Sequence, residues 1–318
     1  MNLTLTGTAF GGAAVPLGTP YTLVFHTLLT CPYDELTLTL PPVGRQLQSV
    51  RATVDGETLF EGLVVEQTEA MEGKPTLRLV CRSRPGHLMA EKQLNPYAYF
   101  RVTGTSIVQD YAVPFGAAGV RLSENREINI MLVSEKESYW DYILSFFVQA
   151  YGKAPYLGRD RYLRLSVSTG RSFRFVPGAG TGERYTGYSE KYHTRGVSDA
   201  YFYTGSDDFG SLYGEHYRNP QAATFGLQRE LYLHPTRTWV TEHERYANYL
   251  FYKDMIDSRT VQVTLPGWHD FQAGDQVTWV RPDGESETLY VGENRIAAGR
   301  DGIVTTASLW DPARNLFR

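Results

Sequence analysis

The stretch VDGETLFEGLVVEQT, Val54 to Thr68, decides how the chain folds. Asp55-Gly56 is a strong hairpin signal, because both central positions of a two-residue turn need a positive φ that Asp and Gly tolerate. Before it, Val50, Ala52 and Val54 alternate as the apolar face of one strand, and after it Leu59 starts the return. Gly62 then interrupts the return strand. A glycine there marks a bulge, a sharp bend or a close backbone approach, all devices that curl a sheet into a small barrel. Gly56 and Gly62 are therefore the first candidate structural or interface positions.

Working outward, DELTLTL alternates Leu36, Leu38 and Leu40 against threonines, and PTLRLVC alternates Leu77, Leu79 and Cys81, the period of half-buried strands. Residues 1–85 thus read as a first β-barrel-like domain. From residue 86 the pattern changes. TSIVQDYAVPFG reads as a short helix stopped at Val113 and Pro114, since the residue before proline is pushed out of the helical region. In SEKESYWDYILSFFVQAYG, residues Tyr139, Tyr142, Ile143, Phe146, Phe147 and Ala150 form one wide apolar helix face. Ser134 and Glu137 have capping-box spacing, and Gly152 suits the stop. APYLGRDRYLRLSV follows as a hairpin, and the Gly-rich VPGAGTGERYTGYSE reads as a linker, closing an α+β middle region over 86–187. Residues 188–318 read as a second β-barrel-like domain with one inserted helix, from about Thr241 to Met255, where Thr241 and Glu244 have capping-box spacing. Further hairpin turns fall at Asp283-Gly284 and Asp301-Gly302, and the domains are either serial or interleaved. The fold class is mainly β (α+β), two β-barrel-like modules around a helix-containing middle region.

Composition agrees: of 318 residues, 42% are hydrophobic, 21% charged and 13% aromatic, which is globular, and 30 glycines with 22 tyrosines favour turn-rich β structure. The net charge of −4, without a dense Lys/Arg run, excludes a dedicated nucleic-acid binder. Cys31 and Cys81 sit singly in strand-like segments, which suits a reducing compartment; one disulfide between them is the alternative. The N-terminus has no basic region followed by an apolar one, and no apolar run approaches the roughly 20 residues of a spanning helix. We expect a product made in a cytoplasm, outside the general secretory route and without a membrane anchor.

Catalytic signals are weak. The seven histidines, His26, His87, His193, His216, His234, His243 and His269, are scattered singly, and two distant cysteines make no metal half-site. GAGTG at Gly178 to Gly182 lacks the Lys-Ser/Thr of a phosphate loop. Asp207 and Asp208 in SDDFG read as a solvated loop before they read as a cation loop or a glycosidase pair. Neither catalytic, cofactor nor metal residues are expected. Tyr185, Tyr188, Tyr192, Tyr201, Tyr203, Tyr213 and Tyr217 cluster, with core packing, a protein interface and sugar stacking as alternatives.

Taken in order, VDGETLFEG, then CRSRPGHLMAEKQLNPYAYFRVTGTSIVQDYAVPFG, then YWDYILSFFVQAYG leading into LGRDRYLRL, then TLPGWHDFQAGDQVTWV and DGIVTTASLW resemble one family. It is the bacteriophage tail baseplate hub, of the late control D type, related to the hub half of type VI secretion spike proteins and other contractile injection systems. The resemblance implies a non-enzymatic homotrimer. Each subunit would contribute two barrels to a pseudo-sixfold ring between a hexameric tail tube and a trimeric spike. The implied partners are the tail tube protein, the spike or tip protein and other baseplate proteins, with DNA or cargo passing through the ring without specific binding. Spike repeat and lysozyme segments would be separate proteins, and Leu316 and Phe317 are candidates for docking them. The implied location is the virion tail or injection-system baseplate, assembled in the host bacterial cytoplasm. The other readings are a different tail or receptor-binding adaptor and, below it, a tail-associated cell-wall hydrolase.

Overall fold

The alternating leucines pair face to face. The computed structural model describes residues 2–92, 97–133, 137–166, 169–192, 196–204, 212–234, 242–256 and 258–311, apart from the side chains of Glu72 and Ile256. The first seven strands are β1 (Leu3–Ala9), β2 (Ala14–Pro16), β3 (Thr22–Leu28), β4 (Glu35–Leu40), β5 (Leu47–Val54), β6 (Glu57–Glu72) and β7 (Lys74–Ser83). They run in the order β3-β4-β7-β6-β5-β1-β2, every neighbour antiparallel. Leu36, Leu38 and Leu40 lie opposite Cys81, Leu79 and Leu77, and all six are fully buried. With Phe25, Val50, Ala52 and Phe60 they form the core that this curled sheet encloses. Each buried Leu, Val or Phe side chain among them contributes roughly 1.5–3 kcal/mol by leaving water.

The decisive hairpin forms as read: Asp55 has φ 50° and Gly56 φ 89°, the doubly positive turn that matches strand twist. Gly62 is corrected. β6 runs unbroken through it, pairing with Val50 on one side and Ser83 on the other. The register slips at Leu59 and Val65, which have no opposite residue. Gly62 itself is a close approach, because a Cβ there would stand 2.2 Å from the Arg82 carbonyl oxygen and 2.5 Å from the Phe60 ring. Cys31 also departs from expectation: it lies in the bend after β3, and both cysteines are free.

The middle elements are α1 (His87–Ala90), β8 (Tyr97–Thr103), α2 (Gly104–Tyr111), β9 (Gly119–Val120), β10 (Glu127–Val133), α3 (Tyr139–Tyr151), β11 (Tyr156–Leu157) and β12 (Tyr162–Arg164). α2 ends just before the 3-10 turn Val113–Phe115 that carries Pro114, and α3 ends at Gly152 with φ 67°, both as the sequence predicts. Tyr142, Ile143, Phe146 and Phe147 are fully buried against α2 and β10. The cap is corrected: Ser134 lies outside the described residues, and the capping box is Ser138 with Asp141, each side chain accepting the other's backbone N–H, at 2.9 and 3.2 Å.

The remaining elements are β13 (Ser172–Val176), β14 (Glu183–Arg184), β15 (Gly187–Tyr192), β16 (Val197–Phe202), β17 (Glu215–Arg218), α4 (Ala222–Phe225), β18 (Arg229–Leu233), α5 (His243–Ile256), β19 (Arg259–Pro266), β20 (Gln276–Val280), β21 (Ser286–Gly299) and β22 (Gly302–Trp310). Seven of them, β14-β13-β20-β21-β22-β19-β15, form a second curled sheet around Phe175, Val263, Val277, Trp279, Leu289 and Val291. The Gly-rich stretch thus connects β13 and β14, parallel neighbours in one sheet through Phe175 and Glu183. β21 belongs to both sheets: its first half pairs with β20, and Glu293 to Ala298 pair with β3, which inserts Ile296 into the first core. A small sheet, β17-β16-β18, packs Ala200 and Phe202 on Ala247 and Phe251 of α5. Thr241 lies outside the described residues.

Candidate functional site

Both curled sheets and the middle region border one cleft of about 1370 Å³. The turn after β3 brings Tyr33 and Asp34 to it, β6 brings Phe60 and Gly62, the β11–β12 hairpin brings Arg159 to Arg161, and the loop after β19 brings Phe271. The turn carrying Asp34 is fixed to the end of β7, because the Asp34 N–H donates to Ser83 Oγ and the Ser83 N–H to the Asp34 carbonyl, both at 2.9 Å. Burial pushes the Asp34 carboxyl up to about 6, against the pull of Arg159. Arg159 itself grips Asp270 with two N–H groups. Arg171 donates to the Asp270 carbonyl at 2.9 Å and lies 3.3 Å from the buried Asp275 carboxylate. Between β3 and β21, His26 meets Glu293 at 2.7 Å and holds its carboxyl below the usual range. These groups are ion pairs and hydrogen bonds between strands and modules. Among the described residues, no group of three or more His, Cys, Asp or Glu is arranged to hold a metal ion.

The tyrosine cluster divides. Tyr185 is buried and donates its hydroxyl to the Val280 carbonyl at 2.9 Å, and Tyr217 packs on Phe202 inside the small sheet. On the opposite face, Tyr201 stacks between His216 and Tyr232, with centroids 4.5 and 5.0 Å away and rings within 11° of parallel. Tyr203 stacks on His234 at 4.6 Å, and the Tyr213 hydroxyl meets His234 Nε2 at 3.0 Å. Because cross-strand neighbours occupy both faces of Tyr201, its edge and hydroxyl point outward. A sugar needs a free ring face, which Tyr201 does not offer.

No family model matches the sequence, and no curated protein matches it. The backbone does have counterparts. It superposes on a tail protein of Neisseria meningitidis with a TM-score of 0.74 at 16% identity, over 99% of this chain and 98% of that one. A prophage tail protein of Shewanella oneidensis gives 0.75 at 13% identity, over 99% of both chains. The chain has the phage tail-protein fold. A type VI secretion component of Escherichia coli, described as similar to bacteriophage T4 tail proteins, also superposes, at a TM-score of 0.56 and 11% identity over 100% of this chain and 79% of that one.

Within this tail-protein fold the residues singled out in the sequence are dispersed. Gly56 forms an exposed turn, Gly62 borders the cleft, and Leu316, Phe317, Asp207, Asp208 and His193 lie outside the described residues. Asp34, Arg159 and Asp270 escaped sequence reading because nothing local marks three charged residues that meet only after folding. His216, Tyr232 and His234 left a faint signal: polar and aromatic positions alternate in EHYR and RELYLH as Tyr201 and Tyr203 do in DAYFYTG.

Proposed function

We propose that the chain is a structural, non-enzymatic tail component: the baseplate hub of a phage tail or contractile injection system. Three copies form a ring in which six barrels present a pseudo-sixfold surface to the tail tube, while the true threefold symmetry meets the spike. One observation carries this reading. The chain contains two curled seven-stranded sheets, each with its own core, joined through β21, so a trimer carries six comparable units. Full-length similarity to proteins described as tail proteins supports it. We take residues 1–85 as the first barrel, 86–187 as the middle region and 188–318 as the second barrel, interleaved in that β13 and β14 join the second sheet and β21 reaches the first.

Light scattering of the purified protein, followed by negative-stain imaging with its tube and spike partners, tests the proposal. The expected mass is three times the 35.9 kDa protomer, with ring-shaped particles that bind both partners. A monomer that stays monomeric and ignores both partners overturns it.

A further inference from the structure

The cleft between the modules is larger than the roughly 300–1,000 Å³ of a small-molecule pocket, and it opens to solvent beside a cluster of arginines. Arg121 and Arg164 share one carboxylate oxygen of Asp160, with Arg121 at 3.2 Å. Arg84 and Arg161 also line the cleft, and neither has an ion pair among the described residues. The segments that carry the four arginines adjoin. The Arg161 carbonyl accepts from the Ala118 N–H at 2.7 Å, and Arg84 reaches the Pro114 carbonyl and lies over Gly116. Arg161 is held at φ 63°, a conformation that glycine adopts more readily. Beside this cluster the wall is apolar, with Tyr33, Phe115 and Leu157 partly exposed and Leu29, Leu59 and Phe60 buried in it. β11, the edge strand of the β11-β12-β9 sheet, also borders the cleft.

We propose that this cleft binds an extended acidic segment of a partner protein. Carboxylates of the segment would pair with Arg84 and Arg161, its apolar side chains would lie on the Tyr33, Phe115 and Leu157 wall, and its backbone would extend the edge at β11. A polypeptide fits better than a nucleic acid. Asp34, Glu61 and Glu91 in the same lining repel an unbroken phosphate chain, whereas a peptide places charges only where the arginines are.

The test uses a fluorescently labelled peptide of alternating glutamate and leucine, its lysine-for-glutamate counterpart and a single-stranded oligothymidylate, each titrated into the full chain by anisotropy. The acidic peptide should bind, and binding should weaken as salt rises. The double variant Arg84→Glu/Arg161→Glu should weaken it by roughly tenfold or more. Both side chains are exposed, so the variant should keep the parent melting curve. Charge reversal at Arg101, paired with Glu127 on the β8–β10 ribbon, should change nothing. A readout independent of variants is Cys31, which lines the cleft, while Cys81 is buried and its thiol pushed up to about 12. The acidic peptide should slow maleimide labelling of Cys31. Absence of acidic-peptide binding, equal or tighter binding of the lysine peptide or the oligonucleotide, unchanged affinity in the double variant, or unprotected Cys31 each overturns the proposal.

Discussion

Arg159, in the turn between β11 and β12, holds both carboxylate oxygens of Asp270, 111 residues further along the chain, with Nη2 2.9 Å from Oδ1. The pair fastens the middle region to the second sheet, and Asp34 of the first sheet faces the same guanidinium. Both partners keep about a third of their side-chain surface exposed, at 30% and 39%, so solvent screens much of the attraction. Arg159→Ala should therefore cost only about 1 kcal/mol in urea unfolding. A double-mutant cycle with Asp270→Ala should show coupling of roughly 0.5 kcal/mol or more, and Arg159→Lys should recover only part, because lysine lacks the two-pronged fork. Additive losses would mean that the pair does not act as a fastener.

Asp34 gives a pH dependence whose sign follows from burial. Its folded carboxyl sits at about 6 against an ordinary 3.8, so between about pH 4 and 6 the folded state holds more protons than the unfolded one. Stability contributed by the neutral acid is present below that window and lost as pH rises through it. The residue as a whole is half-buried, which keeps the effect at the low end, of order 1 kcal/mol. Asp34→Asn should remove the slope and be more stable than the parent at pH 7, with little difference at pH 4. Urea midpoints measured at each pH decide it; parallel curves for the two proteins would refute the assignment.

What the sequence disclosed was whatever its local period encodes. The Leu36, Leu38 and Leu40 alternation and the Tyr142 to Phe147 helix face each specify a buried surface without reference to distant residues. The cap of α3 was misplaced by four residues because SEKESYWD holds two consecutive Ser-x-x-acid patterns, and the helix starts at the second. GAGTG resembles a linker for a similar reason. Its role is set by β13 pairing in parallel with β20, Ser172 opposite Gln276, and a partner that remote leaves no mark nearby. The cleft was invisible on the same grounds, since its lining comes from segments as far apart as Thr27 and Ala273.

Gly56 and Gly62 share one hairpin but answer to different constraints, which a pair of substitutions separates. At Gly56 a Cβ meets nothing within 4 Å, and the cost of Gly56→Ala is the positive φ of 89°, about 1 kcal/mol. At Gly62 the backbone is ordinary, but the methyl would collide with the Arg82 carbonyl in the adjacent strand, which cannot swing aside as a side-chain tip could. Gly62→Ala should cost about 2–3 kcal/mol, with valine worse, and should lower the thermal midpoint well below that of Gly56→Ala. If trimer assembly uses this sheet, the Gly62 variant should also lose trimer in light scattering. Equal melting temperatures for the two alanine variants would count against the close-approach reading.

Arg259 closes the second sheet by charge. Nearly buried at the start of β19, it donates to Glu190 of β15 at 2.6 and 2.8 Å and to Glu287 of β21 at 2.8 Å. Burial alone would raise the Glu190 carboxyl, yet hydrogen bonds from Tyr192 and Arg259 outweigh it and hold the group below its usual range. The stability this carboxylate contributes is therefore present above the unfolded value near 4.5 and lost as pH falls through the lower folded value. Arg259→Met removes the guanidinium from Glu190, Glu287 and, at 3.8 Å, Asp311, leaving Arg281 as the cation beside the two glutamates, and should cost about 3 kcal/mol at pH 7. In that variant Glu190 loses the Arg259 hydrogen bonds that hold its carboxyl down and takes up a proton more readily, so the deficit relative to the parent should shrink on acidification towards pH 4. Replacing all three, as Arg259→Met/Glu190→Leu/Glu287→Leu, removes the stranded glutamates, leaves the partly exposed Arg281 without them, and should recover part of the loss. A triple variant no more stable than Arg259→Met would show that shape complementarity, not charge, is what the cluster supplies.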